Sequence, residues 1–142
     1  MPTLATKTRA LLGIAVPTEL DHVAGAVNDS RRILELPDNW DDEGSPAYSL
    51  DTWERAARFL LQSAVVLFKK RRIVTPAPTI SHGPKGSIDI YWRTSSFTLL
   101  INVPCRANQV IDYYGCKPTG TEVKGKLDPN LANQWLLMWM TE

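Results

Sequence analysis

Histidine and cysteine are scarce in this chain, with two of each among 142 residues. Cys105 and Cys116 show neither C-x-x-C spacing nor a histidine pair beside them, which removes a structural zinc site and leaves no metal centre to expect. Two small thiols in a reduced, cytoplasmic protein are the expectation, with a bridge across a hairpin as the alternative. His22 and His82 lie far apart in the sequence, and no G-x-S-x-G elbow accompanies either, so no nucleophile–base set is read and no catalytic residue is assigned. An excess of either charge is also missing: sixteen basic against fifteen acidic residues leave +1, too little for a global field that gathers nucleic acid or an anionic membrane. No run reaches the eighteen or so apolar residues of a membrane helix. The glycines of residues 82–86 lack Walker spacing and lead into a strand, so no nucleotide or other cofactor is expected.

What remains is ordinary globular material, 44% apolar and 22% charged, enough for one domain over residues 1–142 with residues 1–17 as an N-terminal arm. Lys7, Arg9 and the apolar residues 10–16 resemble a signal peptide, but the run is short and Pro17 stands where a cleavage site needs small residues. It reads as mature sequence, a short helix or strand that packs on the domain or a partner.

Thr18, Glu19 and Asp21 suit a helix start, and Leu20, Val23, Ala24, Val27, Arg31 and Leu34 recur at helical spacing, which predicts a helix over residues 18–36 ended by Pro37. A second helix begins at Ser49 or Asp51. Trp53, Ala56, Ala57, Leu60, Leu61, Ala64, Val65 and Phe68 keep the i, i+3, i+4, i+7 pattern, and cations close the helix.

From Ile73 the period changes. Pro76 and Pro78 introduce a strand over residues 79–82, and the alternations of residues 87–93 and 97–103 predict an antiparallel hairpin. A further strand is expected over residues 109–114, and residues 115–126 read as a loop or weak edge strand. Asp128 then caps a last helix with Pro129 at its first position. The sum is an α+β, two-layer domain: N-terminal helices, an antiparallel meander of three to five strands, and a C-terminal helix.

Within residues 36–103, Leu36, Trp40, Asp41, Gly44, Pro46, Ala57, Phe59, Leu60, Pro76, Pro78, Ile80, Gly86, Ile88, Ile90 and Trp92 resemble a family of uncharacterised bacterial proteins. Its pattern is a W-D-G-Y-G-A-x-P loop before a helix, then P-x-P-x-I and a G-x-I-x-I-x-W strand. Asp42 and Glu43 stand where that pattern has Gly and Tyr. The resemblance implies a fold unit and no particular reaction.

The loop, residues 36–46, is the densest acidic stretch. Neither register places acids and glycine as an EF-hand requires, and no histidine or third ligand is near in sequence. Asp41 is expected to tie the turn, Gly44 to supply positive φ, Pro46 to set the exit and Trp40 to anchor the turn on the core. That leaves Asp42 and Glu43 for solvent or a partner; a small hydrolase using the acidic loop is a third alternative. Lys69, Lys70, Arg71 and Arg72 form the one local cationic cluster. They read as a solvated helix end, or as a nucleic-acid contact with Tyr91 or Trp92 stacking bases.

Residues 135–140 are all large and apolar, so they surround a helix axis instead of forming one stripe. Trp135, Met138, Trp139 and Met140, with Asp42 and Glu43, are therefore the candidate partner surface, unless residues 11–16 fold over the helix. The function these features imply is a non-catalytic protein-interaction module, an accessory or antitoxin-like subunit of a bacterial or phage conflict system. Its partner would be another protein chain in a homo-oligomer or a heteromeric complex; a nucleic-acid-binding module is the second choice, and no membrane partner is expected.

Overall fold

A computed structural model describes residues 7–128 and 133–142. The N-terminal apolar run folds as a hairpin of β1 (Thr8–Leu11) and β2 (Ile14–Pro17). Leu12 and Gly13 between them have φ of 53° and 76°, the paired left-handed turn that matches the twist of two strands. Val16 is fully buried, and β2 packs on the helices that follow, so the hairpin is docked on the core.

The predicted helix of residues 18–36 is corrected to three pieces. A 3-10 turn (Thr18–Leu20) leads into α1 (Asp21–Asp29), and a second 3-10 segment (Ser30–Glu35) follows. The break falls at Ser30, whose hydroxyl donates to the Val27 carbonyl at 2.6 Å and accepts the Trp53 indole N–H at 2.8 Å. A serine bonded back into its own turn competes with helix propagation, and here the tryptophan fixes it in place.

Helix α2 (Leu50–Arg71) follows the predicted pattern. Ser49 is the cap: its Oγ accepts the Thr52 N–H at 3.1 Å. The apolar stripe is buried along the length of the helix, and Arg72 closes it in the left-handed region with φ of 56°.

Five antiparallel strands come next in strictly sequential order: β3 (Thr79–His82), β4 (Ile88–Arg93), β5 (Thr98–Val103), β6 (Ile111–Cys116) and β7 (Glu122–Leu127). The strand expected at residues 109–114 lies two residues later. The segment read as a loop or weak edge strand contains β7, which pairs with β6 over its whole length. The registers put Ile88, Ile90, Trp92, Leu99, Ile101, Val103 and Ile111 on one face, all buried beneath the helices. The other face carries Asp89, Tyr91, Leu100, Asn102, Asp112, Tyr114, Lys124 and Lys126 and is left to solvent.

The last element is α3 (Gln134–Trp139). The expected Pro129 start lies outside the described residues. Helix α3 packs on α2, and the Asn133 N–H donates to the buried Ser63 hydroxyl of α2 at 3.0 Å. The Trp139 ring meets Phe97 edge-on at 6.3 Å and lies against β6, where a Cβ on Gly115 would come within 2.9 Å of it. With α2 on one side and the sheet on another, Leu136, Leu137, Trp139 and Met140 are all buried, which is how a helix apolar on nearly every side is accommodated within one chain.

Candidate functional site

The acidic loop is built as a turn. Asp41 Oδ1 accepts the N–H groups of Glu43 at 3.0 Å and Ser45 at 3.2 Å, and the Ser45 hydroxyl donates to Asp41 Oδ2. These bonds hold the Asp41 carboxyl below its ordinary range, the Ser45 hydroxyl first and the Glu43 N–H next. Gly44 has φ of 84°, and its N–H reaches Asn39 Oδ1 at 2.7 Å, while Asp38 accepts the Ala47 N–H at 2.9 Å. The contributions of Asp38 and Asn39 were not legible beforehand, although Asp and Asn in a turn are the residues that bond nearby N–H groups.

Trp40 pins the loop, half-buried and not fully so. Its indole N–H donates to the Pro46 carbonyl at 3.2 Å, and its ring lies 4.5 Å from His82 and 6.4 Å from Tyr48. Tyr48 in turn donates to the Gly83 carbonyl at 2.9 Å, joining the loop to the β3–β4 turn; burial pushes its phenol pKa up. Asp42 and Glu43 are exposed, and Asp42 adopts φ of 59° at the position where the resembled pattern has Gly.

The histidines are separately engaged. His22 Nε2 lies 2.6 Å from the Thr75 carbonyl oxygen, and His82 faces Trp40. Among the described residues no group of three or more His, Cys, Asp or Glu side chains could hold a metal ion. Cys105 and Cys116 are both free thiols.

Lys69, Lys70, Arg71 and Arg72 stand exposed at the end of α2, the Arg72 guanidinium 5.2 Å from the Phe68 ring centre. Trp92 cannot stack a base beside them: it is buried, with its indole N–H bound to the Pro76 carbonyl at 2.8 Å. Tyr91 does lie on the open sheet face. Its charged neighbours there balance, Arg93, Lys124 and Lys126 against Asp89, Asp112 and Glu122, which is no footprint for phosphate.

The residues named for partner contact divide. Trp139 and Met140 are buried in the chain's own core, so their place on a partner surface is corrected by the double packing of α3. Trp135 is 44% exposed and Met138 half-buried. Trp135 is nevertheless held: its indole N–H donates to Asn133 Oδ1 at 3.2 Å, and its ring meets Tyr113 edge-on with centroids 5.6 Å apart. Tyr113 leans across the neighbouring strand, its phenol oxygen 2.8 Å from where a Cβ on Gly125 would sit. Together with the half-buried Val123 of β7 they form an apolar margin where the helix layer meets the last strand. Tyr113, Val123 and Gly125 were not named as contact residues, because residues 115–126 were read as either a loop or a weak edge strand and no pairing of Tyr113 with Gly125 was drawn; an aromatic over a strand glycine is the signal.

The chain matches no family model, and neither curated proteins nor solved structures show significant similarity to it. Among the described residues no helix is long and apolar enough to cross a membrane.

Proposed function

We propose that this protein is a non-catalytic, cytoplasmic protein-interaction module whose contact surface is the margin formed by Trp135, Met138, Tyr113 and Val123. The observation that carries the reading is Trp135, an indole left 44% exposed yet oriented by Asn133 and Tyr113. A large aromatic already fixed in one orientation loses little freedom on binding, and interface centres favour tryptophan and tyrosine for that reason. Asp42 and Glu43 face solvent on a rigid turn and remain secondary contact candidates. An accessory subunit, antitoxin-like in that it acts by covering a surface of another protein, suits a chain that offers such an anchor. The W-D-x-x-G stretch retained at Trp40, Asp41 and Gly44, with Pro46 one residue earlier than the pattern's proline, belongs on this reading to the scaffold shared with the resembled family.

The test is site-specific photo-crosslinking in the native host with the photoreactive residue at 135, at 138 or at 70. One protein band captured from positions 135 and 138, absent at 70 and lost in a folded Tyr113→Ser variant, is the expected result. Capture only at 70, or of nucleic acid there, overturns it in favour of the basic run at the end of α2.

A further inference from the structure

The two edges of the sheet differ. β3 spans four residues, follows Pro76 and Pro78, and is contacted by α1 and the second 3-10 segment, so prolines and neighbours blunt it. β7 spans six residues, contains no proline and borders no further strand. Its outward phase follows from one bond. The Lys117 N–H donates to the Thr121 carbonyl at 2.9 Å across the β6–β7 turn, and bonded pairs in an antiparallel ladder recur at every second residue. Gly115 with Val123, Tyr113 with Gly125 and Ile111 with Leu127 are then the bonded pairs. The backbone N–H and C=O groups of Glu122, Lys124 and Lys126 point away from β6, toward the free side.

The two faces of that edge are chemically unlike. On the helix side stand Val123, Tyr113 lying over Gly125, and Trp135 edge-on to Tyr113. On the open side Glu122, Lys124 and Lys126 alternate; Lys126 pairs with Asp112 at 2.8 Å and Glu122 accepts the Tyr114 hydroxyl at 3.3 Å, while the Lys124 ammonium between them makes no ion pair among the described residues. We propose that β7 receives an extended segment of a different protein as an antiparallel sixth strand. The segment would set apolar side chains on Val123, Tyr113 and Trp135, and acidic ones opposite Lys124 and Lys126.

A second copy of this chain is the less suited occupant. The symmetric pairing that uses all three outward residues sets Glu122 opposite Lys126 on either side but Lys124 against Lys124 at the two-fold axis, where like charges directly opposite destabilise a strand pair, whereas an acidic segment leaves neither lysine facing its like. An acidic–apolar alternation turns the same lysines into specificity elements, with the main chain supplying affinity and the side chains supplying selection. This inference rests on the Trp135 margin being the contact surface. Lysines on an edge also guard against sheet extension, and the experiment separates guarding from recognition.

The nitrogen-15-labelled chain is titrated with a capped synthetic peptide, Thr-Val-Glu-Val-Asp-Val-Thr, with the same peptide carrying lysine at both acidic positions, and with an N-methylated form of the first. The expected result is a shift of the Glu122, Lys124 and Lys126 amide resonances with the acidic peptide, affinity at least about tenfold lower for the lysine peptide, and no shift with the N-methylated one. Lys124→Pro removes an outward N–H without removing a bond to β6, so it should keep the native spectrum and lose the acidic peptide. Equal binding of acidic and lysine peptides, or no shift at the β7 amides at millimolar peptide, overturns strand addition. If crosslinking at 135 still captures a partner in that case, the interaction reading stands and only its mode falls; if crosslinking fails as well, both fall.

Discussion

The phenol of Tyr113 lies across Gly125 on the neighbouring strand, its oxygen 2.8 Å from the position a Cβ would take. Without a side chain at 125, the ring reaches the sheet margin and meets Trp135. Gly125→Ala should therefore destabilise the protein by about 1 kcal/mol or more, since overpacking outweighs the smaller gain from a stiffer unfolded chain. In a Tyr113→Ala background the same substitution should stabilise. Denaturant melts of the four proteins check this, and the sign reversal separates a steric contact from a general intolerance of β7.

The two tryptophans of α3 should part company. Trp139, buried against Gly115 and Phe97, should cost about 3–5 kcal/mol when replaced by alanine. Trp135→Ala should cost only about 1 kcal/mol, the order of one aromatic pair, while abolishing partner capture. Equal losses of stability would make Trp135 core and remove the anchor.

Asp42 holds a left-handed backbone that glycine adopts freely. Asp42→Gly should leave stability unchanged or slightly raised, whereas Asp42→Ala should lower it by about 1 kcal/mol, because alanine lacks the short polar group that helps aspartate tolerate this region. Glu43→Ala, exposed and without such strain, should be neutral in the same thermal melts.

Asp41 gives the loop a pH dependence. Its carboxyl is held below the ordinary value of 3.8, chiefly by the Ser45 hydroxyl and then by the Glu43 N–H, so the ionised form favours the fold. That contribution is complete above the ordinary value and disappears as pH falls through the lowered one. The Tm difference between wild type and Asp41→Asn should be constant from neutral pH down to about pH 5 and shrink below pH 4, whereas a difference that grows on acidification would contradict this bonding.

Which of these features sequence could show depended on how far apart the interacting residues lie. Helix α2 was legible because its apolar stripe and its Ser49 cap are local. β3 was legible for the same reason, bounded by Pro78 and Gly83. The break at Ser30 was not, since the indole that holds it comes from Trp53 in the next helix. β7 was legible only as a loop or weak edge strand because Gly125 and its lysines are poor strand formers; it is the edge strand, and the ring of Tyr113 on the adjacent strand covers the glycine. At the candidate site the apolar run of α3 was visible, but which of its side chains face outward was set by Ser63 and Gly115, far from it in the chain.

The strictly sequential order of the five strands sets a folding sequence in time. Each strand closes only a short loop to reach its neighbour, whereas the Asn133–Ser63 bond that docks α3 spans 70 residues. Loop-closure entropy favours early pairing of β4 with β5 and late docking of α3. Substitutions in the β4–β5 hairpin should slow refolding, while Ser63→Ala should leave the refolding rate nearly unchanged and speed unfolding. The α3 half of the surface assigned to the partner, Trp135 and Met138, would then be the last part of the fold to form and the first to open, a rate difference that stopped-flow tryptophan fluorescence reads directly.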